Sequence, residues 1–271
     1  MLIDDTSTDD SLSKCREWEA KDSRVKVLIN DGGVKGAGPA RNIGLRNAVN
    51  EFISFLDADD YFLEGRFDED EQLYKSRNDV VSIASSVIIN TYNLEDFKYL
   101  NRSFEHNKIC GGSQDYSWVS ISNLLYGSSI KITGLSLRKN VALSLQGFNE
   151  NLKQCEDTDF LVRLILNYSL FTPIVGNPVC VRNVHKSNTI ANILESIYYR
   201  KIIYKKFMKL AIFTLKDFNL FMDLLKSYFE IDLISLIGEK DLKYKKMYKV
   251  LLSPIIIFKL IFITKSMNEV I

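Results

Sequence analysis

The run Leu56-Asp57-Ala58-Asp59-Asp60 follows the short apolar segment Phe52-Ile53-Ser54-Phe55. Strand side chains alternate faces, so Asp57 and Asp59 would point the same way at the carboxyl edge of a sheet, where open α/β sheets bind ligands. Two hard oxygen ligands at that edge suit Mg²⁺ or Mn²⁺, which also takes phosphate oxygens and can neutralise charge building on a departing diphosphate. An acidic turn that closes a strand would show the same residues. A second acidic group, Glu156-Asp157-Thr158-Asp159, opens an amphipathic run through Phe160, Leu164 and Ile165. Carboxylates there cap a helix and are stabilised by its dipole. Asp159 and Arg163, four residues apart, are placed to pair on it.

These groups need elements to hold them. Val25 to Ile29, Phe52 to Leu56 and Val80 to Asn90 read as strands, rich in β-branched and aromatic residues. Gly32-Gly33-Val34-Lys35-Gly36-Ala37-Gly38-Pro39 is a flexible loop whose proline suits the first turn of a helix through Arg41, Leu45 and Val49. Strand, glycine loop, helix and strand in that order form an α/β signature. The loop has neither established phosphate-binding spacing. Residues 91–128 are polar and aromatic without a period, which suits a binding element or lid. A strand near Ile130 to Leu137, a turn at Gln146 to Glu150 and a last strand at Val179 to Arg182 complete this part, with His185 just beyond.

From about residue 191 the pattern turns helical and basic. Tyr199, Ile203, Phe207 and Leu210 share one helical face and Lys201, Lys205 and Lys209 the opposite one, as expected of a solvated surface helix or of a helix lying on a membrane. Residues 1–190 carry 21 Lys/Arg against 26 Asp/Glu, whereas 191–271 carry 14 against 8. The acidic front argues against nucleic acid as a partner, and the basic tail suits anionic lipid or an acidic protein. Leu251 to Ile263 is apolar but interrupted by Pro254 and Lys259, and is shorter than the ~20 residues a span requires. Cys15, Cys110, Cys155 and Cys180 have no metal-binding spacing and read as reduced, buried thiols of a cytosolic protein. Met1-Leu2-Ile3-Asp4-Asp5 lacks the basic, then apolar, character of a signal peptide.

Several motifs in order resemble the family 2 inverting glycosyltransferases of the GT-A fold: Leu2 to Ser11, Gly38-Pro39-Ala40-Arg41-Asn42-Ile43-Gly44-Leu45, Phe55 to Asp60, Gly147-Phe148-Asn149-Glu150 and Glu156-Asp157-Thr158-Asp159-Phe160. The resemblance covers about residues 1–190. It implies an α/β chain with a GT-A-type nucleotide-sugar-binding mixed sheet flanked by helices in 1–190, N-terminally truncated, and a basic helical region in 191–271. It also implies transfer of a sugar from a nucleotide diphosphate donor, commonly UDP-linked, to a hydroxyl of a bacterial surface glycan or lipid-linked oligosaccharide. Such an enzyme would work in the cytoplasm, peripheral at the inner membrane face.

By the same resemblance, Asp5 matches the residue that reads the base, Asp57 one near the ribose, and Asp59 the metal-binding aspartate, with Asp60 supporting their loop. Arg41 and Asn42 match a helix start on the nucleotide side, although a structural salt bridge would explain Arg41 as well. Asp157 matches the general base and Glu156 is the alternative base. His185 falls where some relatives complete the metal shell, with Lys186 beside the phosphates. Two departures stand out: Thr6 replaces a usual glycine, and the opening strand of the form apolar-Pro-x-Tyr-Asn is absent. The expectation is either a start further upstream or an impaired remnant that serves as a partner in a glycan-assembly complex. A phosphohydrolase using Asp57 and Asp59 is disfavoured, because Asp60-Tyr61 stands where that chemistry wants Thr or Val.

Overall fold

The structure is a computed structural model of the chain, and it describes residues 1–91, 108–111, 117–121, 123–124, 130–173, 177–185 and 193–237. In chain order its elements are β1 (Leu2–Asp4), α1 (Ser11–Lys21), β2 (Val27–Ile29), α2 (Ala37–Asn47), β3 (Phe52–Ser54), β4 (Tyr61–Phe62), α3 (Asp68–Ser76), β5 (Ser82–Ala84) and β6 (Val87–Thr91). They continue with β7 (Lys108–Cys110), β8 (Ser117–Trp118), a 3₁₀ turn (Ile132–Gly134), β9 (Leu135–Arg138), α4 (Lys139–Ser144) and α5 (Glu156–Asn167). Last come β10 (Phe171–Thr172), β11 (Cys180–Val184), α6 (Ile193–Lys209), a π-helical turn (Leu210–Leu215) and α7 (Phe218–Ile237).

Among the described residues the strands form three sheets: the parallel pair β1-β2, a mixed five-stranded sheet in the order β3-β9-β5-β10-β8, and a four-stranded sheet in the order β4-β11-β6-β7. Leu2 faces Val27 in the first, and Ile53 faces Leu137 in the second. The main core lies between the five-stranded sheet and helices α2, α4 and α5, with Leu45, Leu135, Leu137, Phe160 and Leu164 buried together. Phe160 has no exposed surface and stacks on Phe148 at 4.5 Å between ring centroids. Burial of such a ring stabilises by about 2–3 kcal/mol, which fixes α5 against the turn before it.

A second core joins Leu152 and Val162 to Ile203, Phe207, Leu220 and Leu224. Thus α6 does bury the Ile203 and Phe207 face read from its periodicity, and that face lands on the back of α5. Among the described residues no helix is long and apolar enough to cross a membrane, and the apolar stretch Leu251 to Ile263 lies outside them.

The sequence expectations need correction in several places. The run Val80 to Asn90 is two strands, because Ser85 N–H bonds the carbonyl of Gly134 in one sheet while the Ser86 carbonyl accepts Val179 N–H in another. Gly134 permits that crossing: a Cβ there would come within 2.5 Å of the Ser85 carbonyl oxygen. Instead of one strand at Ile130 to Leu137, a 3₁₀ turn precedes β9. Helix α2 stops at Asn47, leaving Val49 exposed. Helices α1 and α3 were not apparent in the sequence; α1 buries no residue, so it has no apolar stripe to detect. None of the four cysteines forms a disulfide, but only Cys180 is buried and the other three are half-buried. Most of the polar segment 91–128 lies outside the described residues.

Candidate active site

Strand β3 ends at Ser54, so the pleat does not orient Asp57 and Asp59. They stand instead in a turn closed by Asp60 N–H to the Asp57 carbonyl at 3.1 Å, immediately before β4. The turn spreads its three carboxylates to three different partners. Asp57 Oδ1 accepts Arg41 Nη2 at 2.7 Å, Asp59 Oδ2 lies 3.0 Å from His185 Nε2, and Asp60 Oδ1 accepts the backbone N–H of Asn183 at 2.9 Å. Asn183 also donates its side-chain amide to the Asp59 carbonyl at 2.5 Å. Asn183 of β11 was not singled out in the sequence; its signal is its place two residues before His185, which follows the strand.

Arg41 connects this turn to α5. Its other terminal nitrogen donates at 2.9 Å to Oε1 of Glu156, 115 positions along the chain, so one guanidinium joins Asp57 to Glu156. The Arg41 side chain is 10% exposed and lies over the Phe148 ring at 5.4 Å. Cys155, with φ of 64°, turns the chain so that Glu156 begins the helix facing the turn. Burial, reinforced by the neighbouring Asp157 charge and opposed by Arg41, pushes the Glu156 carboxyl up to about 7. Burial likewise raises Asp60 to about 7, and among the described residues its buried Oδ2 has no hydrogen-bond partner. Asp157 is half-buried on the same first turn, its Oδ1 accepting Thr158 N–H at 2.7 Å.

The turn before α5 is itself clamped. Asn42 donates to the Phe148 carbonyl and accepts Phe148 N–H, while Arg163 donates to the carbonyls of Leu145 and Gly147. Gly147 has φ of 66°, and a Cβ there would collide with the Asn42 side-chain oxygen. Arg163 Nε pairs with Asp159 at 2.8 Å as its spacing predicts, and Lys206 of α6 donates to the other oxygen of the same fully buried carboxylate.

Asp5 stands at the carboxyl end of β1 with both oxygens engaged, one by the Asn30 amide and the other by Gly36 N–H at 2.8 Å. It thereby fastens the glycine loop. Thr6 keeps the left-handed conformation, φ of 60°, that its usual glycine would favour. Beside Asn30 a cavity of about 430 Å³ opens, walled by Val34, Pro39, Ile43, Arg46 and Glu150. Lys186 lies outside the described residues.

The Asp59 carboxylate, 3.0 Å from the His185 imidazole, is an oxygen ligand that suits Mg²⁺ or Mn²⁺, and a nitrogen ligand from His185 would favour Mn²⁺ of the two. Asp57 is turned to Arg41, and among the described residues no cluster of three acidic, histidine or cysteine ligands forms. Arg41 thus ties Asp57 to Glu156, with Asp157 near enough to act on the Arg41 charge, and Asp59, two residues from Asp57, meets His185.

Residues 1–119 match the family described as Glycosyl transferase family 2. A curated relative from Escherichia coli, UDP-Glc:alpha-D-GlcNAc-diphosphoundecaprenol beta-1,3-glucosyltransferase WfgD, is 31% identical over 41% of this chain and 44% of its own. Other matching curated glycosyltransferases are spanned over 14 to 64% of their length. The crystal structure of S. aureus TarS 1-349 superposes with a TM-score of 0.55 at 17% identity, covering 91% of this chain and 67% of that one. The mannosyltransferase PcManGT from Pyrobaculum calidifontis, in complex with GDP-Man and Mn²⁺, gives 0.52 at 15% identity over 93% and 70%. The chain has their GT-A fold.

Proposed function

From the match of residues 1–119 to glycosyl transferase family 2, we propose that the chain is an inverting transferase of that family. It moves a sugar from a nucleotide diphosphate, UDP foremost, to a hydroxyl of a surface glycan or a lipid-linked oligosaccharide. The observation that carries the reading is the single Arg41 guanidinium spanning Asp57 and Glu156, which sets the acidic head of α5 across from the turn that holds Asp59 and His185. The names of the relatives support the donor and the acceptor class, since WfgD uses UDP-Glc and a diphosphoundecaprenol-linked sugar.

Each residue's task follows from its surroundings. Asp157, half-buried on the first turn of α5, takes the proton of the acceptor hydroxyl as that oxygen bonds to the anomeric carbon. The bond from that carbon to the diphosphate breaks on the opposite face and its electron pair leaves with the diphosphate, so one displacement inverts the centre. Glu156 is nine-tenths enclosed and held by Arg41, which suits it to positioning rather than to proton transfer. Arg41 sets the spacing between donor and acceptor sides. Asp5 orders the glycine loop on the nucleotide side. Asp59 and His185 would hold a divalent cation, which when bound supplies positive charge to the leaving diphosphate.

A donor screen of UDP-, GDP- and dTDP-sugars with Mn²⁺ tests the reading. Asp157→Asn is expected to lower turnover by about 10²-fold or more while calorimetric donor affinity stays unchanged, and Asp59→Ala to weaken donor binding. Equal loss of donor binding in both variants refutes the assigned roles. Failure of the unmodified chain to bind any donor points instead to a non-catalytic partner in glycan assembly.

A further inference from the structure

The outer side of α6 combines two kinds of residue that a merely solvated helix keeps apart. Leu194, Tyr198 and Ile202 recur every four residues and are 78%, 60% and 37% exposed. At about 100° per residue, they fall on the same arc as Lys201, Lys205 and Lys209, so that Leu194, Lys205, Tyr198, Lys209 and Ile202 follow one another around the helix. That arc holds no acidic residue; Glu195, the acid of α6, falls just beyond it. The opposite side is committed to the protein through Ile203 and Phe207, both nearly fully buried. Lys206, outside the arc, is committed to Asp159. The helix is therefore anchored on its inner face and presents a fixed outer one.

We infer that this outer face of α6 docks on an anionic phospholipid surface. Apolar side chains interleaved with lysines on one arc fit the boundary between headgroups and acyl chains. There Leu194 and Ile202 leave water, Tyr198 keeps its hydroxyl at the headgroup level, and lysine stems reach outward to phosphate. The Lys205 side chain is exposed, and its ammonium rests 5.8 Å from the centre of the Tyr228 ring of α7, a surface contact that a lipid phosphate would replace. The charge is complementary: residues 191–271 carry 14 basic against 8 acidic side chains. Docking would be reversible and salt-sensitive, since each lysine near such a surface contributes about 1 kcal/mol and is screened within a Debye length. The inference does not depend on the proposed transfer reaction.

The test is cosedimentation of the full chain with vesicles of phosphatidylcholine alone or with about one third phosphatidylglycerol, without donor or metal. Binding is expected to the anionic vesicles only and to fall as salt is raised. Lys205→Gln together with Lys209→Gln should weaken it by about 25-fold, roughly fivefold for each lysine. Leu194→Ser together with Ile202→Ser should weaken it further in salt, where the electrostatic part is screened. All four positions are exposed or bear exposed side chains, and an unchanged urea midpoint verifies folding. Equal binding to both vesicle types, no binding to either, or unaltered binding by the lysine variant overturns the inference. Salt-sensitive self-association without vesicle binding would assign the face to a protein partner and likewise overturn it.

Discussion

Replacing Arg41 with methionine keeps an unbranched apolar stem and removes the cation shared by Asp57 and Glu156. The side chains of Arg41 and Glu156 are 10% and 11% exposed, whereas Asp57 is 36% exposed. Breaking a buried ion pair by deleting one partner costs about 3–5 kcal/mol, because the other charge is left without compensation. Glu156 can escape part of that cost by binding a proton, for which it is already poised at about 7. At about pH 8, where the native carboxyl is largely ionised, Arg41→Met should therefore cost about 3 kcal/mol. At about pH 5, Glu156 is protonated with or without Arg41, and the remaining loss is the screened Asp57 pair, about 1 kcal/mol or less. Urea melts at both pH values measure this. In a Glu156→Gln background the cost at the higher pH should shrink toward the low-pH value, giving a coupling of about 1–3 kcal/mol. Equal costs at both pH values, or additivity within about 0.5 kcal/mol, would refute the view that one guanidinium stabilises an ionised Glu156.

Two further perturbations follow from the geometry. Glu156 and Asp60 hold protons more tightly in the folded chain than the ordinary 4.5 and 3.8 of their unfolded forms, both being raised to about 7. The folded state thus binds more protons than the unfolded one; their stabilising effect is complete below about pH 4 and is lost as pH rises through about 7. In metal-free buffer the melting temperature should fall between about pH 5 and pH 8, and Asp60→Asn or Glu156→Gln should each flatten that slope; a flat native profile would contradict it. Gly147→Ala must adopt φ of 66° and displace the Asn42 side chain from Phe148, a loss of about 2–4 kcal/mol from strain and an unsatisfied buried amide. A chemical-denaturation midpoint matching the native one would show that the turn is not held as described.

The acidic groups stand out in the sequence because their residue types are chemically restrictive, and α5 was legible from its period, its Asp159–Arg163 spacing producing the pair found. The buried face of α6 was legible from its period. What local sequence could not show was long-range choice. Nothing near Arg41 distinguishes a nucleotide contact from a salt bridge, since its partners lie 16 and 115 residues away. Ser85 and Ser86 sit inside an apolar run that alternates like one strand, and only Gly134 and Val179, brought in by the fold, divide it between two sheets. Strand propensity likewise overextended β3 to Leu56, whereas the chain turns early to pair Tyr61 and Phe62 with β11.

Asp159 lies two residues beyond Asp157, wholly enclosed, and receives one cation from its own helix and another from Lys206. The last third of the chain therefore braces from behind the turn that, on the proposed function, accepts the proton. On the same proposal, sequence drift along that brace would shift Asp157 without altering the contacts by which Asp5 fastens the glycine loop.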